Sequence, residues 1–582
     1  MVLLCSPIGE ADRGQALRIE VHREIPLDLA LGAAWDRLVH RMERPEIFYT
    51  YEWARAVSLA YGKSLYPFLV LGYDQTELVG VAAMATDLTG KRASFLGATT
   101  SDYCDFISRP EDRYSTLDAA LSELRKAAVK DIALANLPED SATLKSLPQV
   151  AKHHQYKFGS RLGYVCAHLG FSDTEQRDQL KRRIKKRKSY RYGMNALARQ
   201  GSVRVDHLSD WKEVESALPE FFVAHVARFL ATSRISNISH LERRTFLAEL
   251  ARLLSESGWL ALTRLSVRGR AVAWNYGFRF NGSWFYYQPT FETDVEQYSP
   301  GVCLLSEIIV ESAARPEIHI VDLGLGAEGY KERFAEGTRK TLYVTLSRSR
   351  TQQFRHIARY HAAEAVKKFP RVESSLRNVR AKVSSVRARS ETRHSCADDQ
   401  RRELIDRLTP TQKLALYEYS KNEDPDSASS SSNRIVSLDL RVLAKTVMES
   451  GNHSAFQTYL LRLAQHLSVL GREGFARLND EGDPVEFCCI VPAEQTLISE
   501  KRLMRASAEA SVICDIFTTE QRPNTGLGES VIRAAVDRIR QQGRKPWAAI
   551  ATNNVILRQS LELFGFVLRG QMSYRQFFQK SA

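Results

Sequence analysis

A lysine set just beyond a glycine-ended apolar run is the first place in this chain where chemistry could be done. The run is His319–Gly326 (HIVDLGLG), which reads as a buried strand, and it leads into Tyr330, Lys331, Arg333 and Phe334. Glycine lets backbone approach a ligand closely. A lysine fixed at such a strand end can neutralise charge on a reacting oxygen. Asp322, inside the run, could orient a substrate amine or hydroxyl, or cap the loop locally. His225 and Arg228 stand three residues apart on a predicted helix and share a face. They read either as a base and an anion ligand or as a structural His–Arg pair. Far downstream, Thr525-Gly526-Leu527-Gly528 opens a predicted helix. The N-terminus of a helix offers unpaired N–H groups and a positive dipole end to a pyrophosphate, and Arg522 stands just before it. The alternative for this loop is a plain strand–helix turn with no ligand.

Positioning these residues takes sheet edges and helix ends, and the hydrophobic pattern supplies both. Four regions follow: 18–174, 175–350, 351–434 and 435–582. In the first, Ile47–Ala60 reads as a loop entering a helix, and Leu65–Met84 as two strands around Tyr73–Thr76. Ser94–Phe106 reads as a strand and loop, Ser115–Val129 and Ser141–Lys152 as helices. In the second, a basic helix (Arg177–Arg199) precedes helices at Trp211–Arg228 and Leu241–Ser257. Three strands follow around Arg268-Gly269-Arg270 and Asn281-Gly282-Ser283; Asn-Gly between apolar runs is a strong hairpin signal. The loop Gln297–Gly301, the helix Val302–Ala314 and the glycine-ended strand close this region. Residues 351–434 read as a basic helix and a linker, with Asp424–Asn433 (DPDSASSSSN) of disordered composition. Inside it, Glu403–Tyr419 contains an amphipathic stretch read as a short helix. The last region repeats the order: helix Ser454–His466, hairpin Phe475–Val491, strand Ala510–Phe517, helix Thr525–Gln542, strand Trp547–Ala551, helix Val555–Phe564 and final strands in Gly565–Phe578.

At 582 residues the chain is too long for one core and suggests three or four domains. Its 44% hydrophobic and 26% charged residues are those of an ordinary globular protein. No apolar run approaches the roughly 20 residues that span a bilayer, and the start, MVLLCSPIGEADRG, lacks a basic n-region. A cytoplasmic location follows by default. The eight cysteines, at 5, 104, 166, 303, 396, 488, 489 and 514, form no CxxC and no Cys/His cluster with zinc spacing. They read as reduced, mostly buried thiols, and no metal is expected. The net charge of +14 is concentrated. Arg177–Arg199 carries an excess of roughly nine positive charges and Arg350–Arg389 about as many. Each is either a solvated helix or a surface for an anionic partner.

The stretch Asp322–Phe334 (DLGLGAEGYKERF) resembles the D-x-G-x-G-x-x-x-YK-x-x-(F/W) signature of the CelD-like acetyltransferases linked to cellulose and exopolysaccharide synthesis. It is similar, more distantly, to the F-K-x-x-F-G element of the Fem peptidyltransferases. His225-Val-Ala-Arg228-Phe229, Tyr286-Tyr287 and Tyr298-Ser-Pro-Gly301 add to the resemblance, which covers about residues 20–385. The glycine loop at Thr525 and the ending Asn554…Gly565-Phe566 resemble a single GNAT domain. The implied fold class is α/β (α+β): a tandem pair of GNAT acyl-CoA N-acyltransferase folds plus one C-terminal GNAT domain.

The implied activity is transfer of an acetyl or longer acyl group from acyl-CoA to an amine or hydroxyl. The acceptor would belong to a saccharide, amino acid or envelope precursor, in exopolysaccharide or cellulose biosynthesis. Lys331 would stabilise the oxyanion or a donor phosphate, with Asp322 and His225 as the other catalytic candidates. Tyr298, Gly301 and Arg228 would bind the cofactor in one half, and Arg522, Thr525, Gly526, Gly528 and Asn554 in the last domain. Two departures stand out: Pro523 occupies the place of the family's Arg or Gln, and Leu561 that of its tyrosine acid. Two alternatives follow. One is a Fem-like transferase using aminoacyl-tRNA, whose basic helix would bind RNA. The other is a non-catalytic scaffold of degenerate GNAT domains. Under the leading reading nucleic acid is not a partner, and the basic helices face an anionic membrane surface.

Overall fold

The structure is a computed structural model that describes residues 17–326, 329–349, 351, 412–420, 434–449, 454–469, 472–496, 509–518 and 529–574. Contacts divide the chain into two units. One holds Met1–Leu218, Thr245–Pro289 and Val295–Pro370; the other holds Pro219–Arg244, Thr290–Asp294 and Arg371–Ala582.

Up to residue 170 the strands are β1 (Arg18–His22), β2 (Tyr66–Asp74), β3 (Glu77–Thr86), β4 (Arg92–Phe95), β5 (Ile107–Ser108), β6 (Asp131–Pro138) and β7 (Lys157–Gly170). Then come β8 (Val203–Leu208), β9 (Leu260–Val267), β10 (Arg270–Phe280), β11 (Ser283–Phe291), β12 (Ile320–Leu325) and β13 (Gly337–Ser347). The helices are α1 (Leu29–His40), α2 (Tyr51–Tyr61), α3 (Arg113–Lys126), α4 (Thr143–His153) and α5 (Thr174–Lys186). They continue with α6 (Lys188–Gln200), α7 (Trp211–Ala231), α8 (Leu241–Glu256), α9 (Pro300–Ala314) and α10 (Gly329–Glu332). The hairpin turns are where the sequence puts them. Arg268 and Gly269 take φ of 51° and 80°, Asn281 and Gly282 of 45° and 78°. Two successive left-handed residues match the twist of the strands they join.

These strands form one sheet in the order β1-β2-β3-β4-β6-β13-β7-β12-β11-β10-β9-β8, with β5 on β3. Two joints are parallel, β4 with β6 and β11 with β12. Parallel neighbours need a crossover, which α3 and α9 provide. β13 is the last of these strands yet lies between β6 and β7, antiparallel to both. β7 is long because it serves two partners: β13 from Lys157 to His168 and β12 from Cys166 to Gly170. The sequence pattern did not reveal β6, β7 or β13. Under β2, β3, β4 and β6 the core is apolar, with Leu117, Leu121 and Leu124 of α3 and Leu147 and Val150 of α4 against Phe68, Met84 and Leu134. Each such side chain contributes about 1.5–3 kcal/mol on burial.

The second unit contains β14 (Gln412–Tyr419), β15 (Arg434–Ser437), β16 (Glu473–Leu478), β17 (Pro484–Pro492), β18 (Ala510–Thr518), β19 (Lys545–Ala551) and β20 (Phe566–Tyr574). Its further helices are α11 (Leu440–Glu449), α12 (Ser454–Leu467), α13 (Glu529–Gln541) and α14 (Val555–Phe564). The sheet order is β15-β16-β17-β18-β19-β14-β20, with β18 and β19 parallel across α13. Within Glu403–Tyr419, where a short helix was expected, residues 412–419 are instead a strand between β19 and β20; 403–411 lie outside the described residues. Ala415 and Tyr417 pack in one cluster, Leu414 and Leu416 in another. A strand apolar on both faces has no alternation to distinguish it from a buried helix.

An antiparallel meander, a helical crossover and a parallel joint thus occur three times, a mixed α/β architecture. The Arg177–Arg199 segment is two helices, not one, broken at extended Arg187. Both pack on α9. Arg177 donates to the carbonyls of Arg315 (2.8 Å) and Ile318 (2.7 Å) just past the C-terminus of α9. A Cβ on Gly193 of α6 would lie 2.5 Å from the Tyr298 carbonyl oxygen, so α6 meets the start of α9 backbone-close. Among the described residues no helix is long and apolar enough to cross a membrane.

Candidate active site

The ladder between β11 and β12 ends at the pair Phe285 and Asp322. Beyond it both strands continue, so Asp322 stands where the sheet opens. On its other side β12 runs antiparallel to β7, with Asp322 opposite His168. The Asp322 carboxylate accepts the Tyr103 hydroxyl (2.7 Å) on one oxygen and the Gly324 N–H (2.7 Å) on the other. Burial pushes its pKa up, and these two hydrogen bonds, with Arg339 and His168, pull it back.

Tyr103 is aimed by a pinned loop. The Thr100 carbonyl accepts the Tyr287 hydroxyl, and the Thr100 hydroxyl accepts from the Trp53 indole (3.1 Å). Asn136, itself left-handed at φ 56°, donates its side chain to the Ser101 carbonyl (2.8 Å) and accepts the Cys104 N–H (3.0 Å). Asp105 accepts from Ser141 (2.5 Å) and Thr143 (2.6 Å) at the start of α4. The bonds to the Thr100 and Ser101 carbonyls and from the Cys104 N–H satisfy backbone groups that burial would otherwise leave unpaired.

Over the Tyr103 ring, 4.5 Å from its centre, lies the guanidinium of Arg339 on β13. Arg339 pairs with buried Glu46 and reaches Asp140 at 3.3 Å. Glu46 is pushed up to about 7: burial dominates, the Arg339 charge opposes it, and the Asp322 charge adds to it. Two buried carboxyls therefore share one fixed cation. Such a group titrating near neutrality is the arrangement that proton transfer requires.

Lys331 sits on α10, 5% exposed, and its Nζ donates to the Leu325 carbonyl at the end of β12 (2.9 Å). Sequence reasoning placed Lys331 and Asp322 together, and the structure does bring both to this strand end. The basic helices grip the same turn: Arg187 donates to the Arg333 carbonyl (2.6 Å) and covers the Phe334 ring at 4.3 Å, while Arg183 pairs with Glu336. At the proposed phosphate loop, Ser299 is left-handed (φ 52°) and makes no side-chain cap. Pro300 has no N–H, and Val302 and Cys303 donate to the Ser299 carbonyl. Gly301 is the first-turn amide not so engaged, and Tyr298 contributes its carbonyl to the α6 contact.

The other candidates lie elsewhere. His225 and Arg228 belong to the second unit. His225, 3% exposed, is hydrogen-bonded to Ser236 (2.9 Å) and stacked on Phe229. Arg228 lies 4.9 Å over Phe291. Asn554 caps α14 through Leu557 N–H (2.9 Å). Arg522, Thr525, Gly526 and Gly528 lie outside the described residues, as does the second basic segment except Thr351. Tyr103, Glu46 and Arg339 escaped sequence reasoning. A dense polar loop after a strand, SDYCDF, was the available signal for Tyr103; Glu46 and Arg339 had none.

Gly324 makes a sharp test. Its φ is +72°, and an added Cβ would lie 2.7 Å from an Asp102 carboxylate oxygen and 3.4 Å from the Tyr286 carbonyl. Gly324→Ala combines a left-handed penalty of about 1–2 kcal/mol with displacement of the N–H that holds Asp322. A lowered Tm and a lowered kcat together, measured by thermal melt and steady-state assay, are the expected result.

Residues 185–332 match the family model described as "Acetyltransferase (GNAT) domain". No curated protein matches the chain. Among solved structures, FemX is 11% identical, covering 54% of this chain and 95% of its own, with a TM-score of 0.39. A tandem GNAT protein from the clavulanic acid biosynthesis pathway is 11% identical over 56% of this chain and 98% of its own, TM-score 0.32. L-PGS from Bacillus licheniformis is 11% identical over 51% and 92%, TM-score 0.33. The match is thus to a GNAT acetyltransferase domain within residues 185–332, a domain type that implies acyl-CoA as co-substrate.

Proposed function

We propose that the chain transfers an acetyl or longer acyl group from acyl-CoA to an amine or hydroxyl of a saccharide, amino acid or envelope precursor, at the strand end that carries Asp322 and Lys331. The observation that supports this reading is their convergence on the end of β12, where the β11–β12 ladder stops, Tyr103 donates to the Asp322 carboxylate and Arg339 lies over the tyrosine ring. Acyl transfer needs the thioester oxyanion stabilised and the acceptor deprotonated near neutral pH. Lys331 supplies charge for the first. Asp322, with Tyr103 as its hydrogen-bond partner, takes the acceptor proton. The sequence resemblance at Asp322–Phe334 favours an exopolysaccharide or cellulose precursor as acceptor.

The test is release of free CoA thiol from acetyl-CoA and longer acyl-CoAs in the presence of amino sugars, amino acids and polysaccharide precursors. Lys331→Met is expected to lower kcat about 100-fold, with smaller change in the acyl-CoA Kd by calorimetry. No acyl-CoA binding and no acceptor-dependent thiol release would overturn the proposal. A second reading, transfer from aminoacyl-tRNA, draws on the exposed basic residues Arg182, Lys185, Lys186, Lys188 and Arg191 of α5 and α6. Salt-sensitive tRNA binding without acyl-CoA binding would select it.

A further inference from the structure

The second unit gathers three ligand-type side chains that its sequence keeps apart. His466 lies on α12, Cys514 and Asp515 on β18, and one ligand atom from each falls within 4.8 Å of the others. All three are under 9% exposed. We propose that these residues form a binding site for a divalent transition metal of the zinc class.

The local backbone is shaped for this cluster. Between β17 and β18, Phe487 pairs with Phe517 and Cys489 with Cys514, so Asp515 and Ile516 stand opposite Cys488 alone. This bulge puts Asp515 at φ +51°, a conformation a non-glycine residue adopts at a cost. Bulges re-aim side chains, and this one turns a carboxylate toward a histidine. His466 Nδ1 stands 4.0 Å from one Asp515 oxygen, and the Tyr459 hydroxyl donates to the other at 3.3 Å. Tyr459 and His466 are two helical turns apart and share a face of α12. At 4.0 Å the pair is too far for a hydrogen bond, and suits two ligands of one ion. Metal ligands at about 2.0–2.3 Å from zinc sit roughly 3.3–3.8 Å from each other, so side-chain rotations of about 1 Å would close the site.

The donor set agrees. Binding takes up the ion on imidazole, carboxylate and thiolate and releases the one thiol proton to solvent. Nitrogen, sulfur and oxygen together suit zinc or cobalt better than magnesium or calcium. Three protein ligands leave a fourth position open. The ladder between β18 and β19 ends at Ile513 and Ala548, one residue before Cys514, so that position lies where the sheet parts.

The untagged full chain, titrated with Co²⁺ alone and with Zn²⁺ alone, tests the site. Expected are about one equivalent of Co²⁺ with thiolate-to-metal charge-transfer absorption, displaced by Zn²⁺, and a Tm raised by Zn²⁺. Cys514→Ser is expected to abolish the charge transfer, and Tyr459→Phe to weaken binding about 10-fold. If Cys514→Ser does not fold by circular dichroism, His466→Gln and Asp515→Asn decide, each expected to lose the Zn²⁺ response of Tm. Absent charge transfer in the folded wild type, or its survival in Cys514→Ser, would overturn the proposal. Co²⁺ bound without charge transfer and lost in His153→Ala would instead assign the ion to Asp118, His153 and His154, a cluster without sulfur, and would equally overturn it.

Discussion

Asp322→Asn is expected to lower kcat/KM by about 10²–10⁴-fold, the range for losing a positioned acid–base group. The carboxylate accepts on both oxygens, from Tyr103 and from Gly324 N–H. An amide has one acceptor. Its NH₂ must therefore face either the Tyr103 hydroxyl, which can turn to accept it, or the Gly324 N–H, which cannot; the second arrangement in a buried site costs about 1–3 kcal/mol. The kinetic loss should sit in kcat, with the acyl-CoA Kd nearly unchanged, because the role proposed for Asp322 is on the acceptor. Tyr103→Phe separates charge from geometry: it keeps the carboxylate and the Gly324 bond, and should lose far less. An Asp322→Asn enzyme with wild-type kcat would remove Asp322 from the reaction.

Glu46→Gln is expected to change the pH dependence of both activity and stability. Glu46 is buried and pairs with Arg339, which covers Tyr103, so it is a positioning residue acting through Arg339. Its carboxyl titrates at about 7 in the folded protein, against 4.5 ordinarily. The wild-type pH–rate profile should therefore carry a limb near pH 7 that is missing in Glu46→Gln. The sign for stability follows from proton counting. Between pH 4.5 and 7 the folded state holds the Glu46 proton more tightly than the unfolded state. The contribution of Glu46 is thus full below about 4.5 and is lost as pH rises through 7. The stability of wild type relative to Glu46→Gln should fall by about 1.4 kcal/mol per pH unit across that window and level off above it. His466 works the opposite way: its pKa is lowered to about 3, so its contribution is full above 6.5 and is lost as pH falls. Chemical denaturation at several pH values separates the two. A parallel wild-type and Glu46→Gln pair of curves would mean that Glu46 titrates normally.

Much of the fold was legible because the forces that set it act locally. Asn281–Gly282 specifies a hairpin through two left-handed residues, and the hairpin is there. The helix read at Val555–Phe564 is α14, residue for residue, since Asn554 caps it and Gly565 ends it left-handed. The elements that were not read are those whose identity depends on a distant partner. β14 is a strand because β19 and β20 lie on either side of it, and its apolar run alone does not say so. β13 likewise gains its meaning from the gap between β6 and β7.

The same division governs the functional groups. By itself the sequence determined that Lys331 and Asp322 lie at one strand end, since nine residues and a glycine turn leave them little freedom to separate. It also pointed to buried, free cysteines, as they are where described; those at 166, 303, 488, 489 and 514 sit in apolar runs, while Cys104 lies in a polar loop. Only the tertiary structure decided that Tyr103 bonds Asp322 across 219 residues and that Arg339 pairs with Glu46 across 293. It alone brought His466 to Cys514 and Asp515. Periodicity and turn chemistry reach a few residues along the chain. A buried hydrogen bond or ion pair instead depends on which strand edges meet, and that is settled when the whole sheet closes.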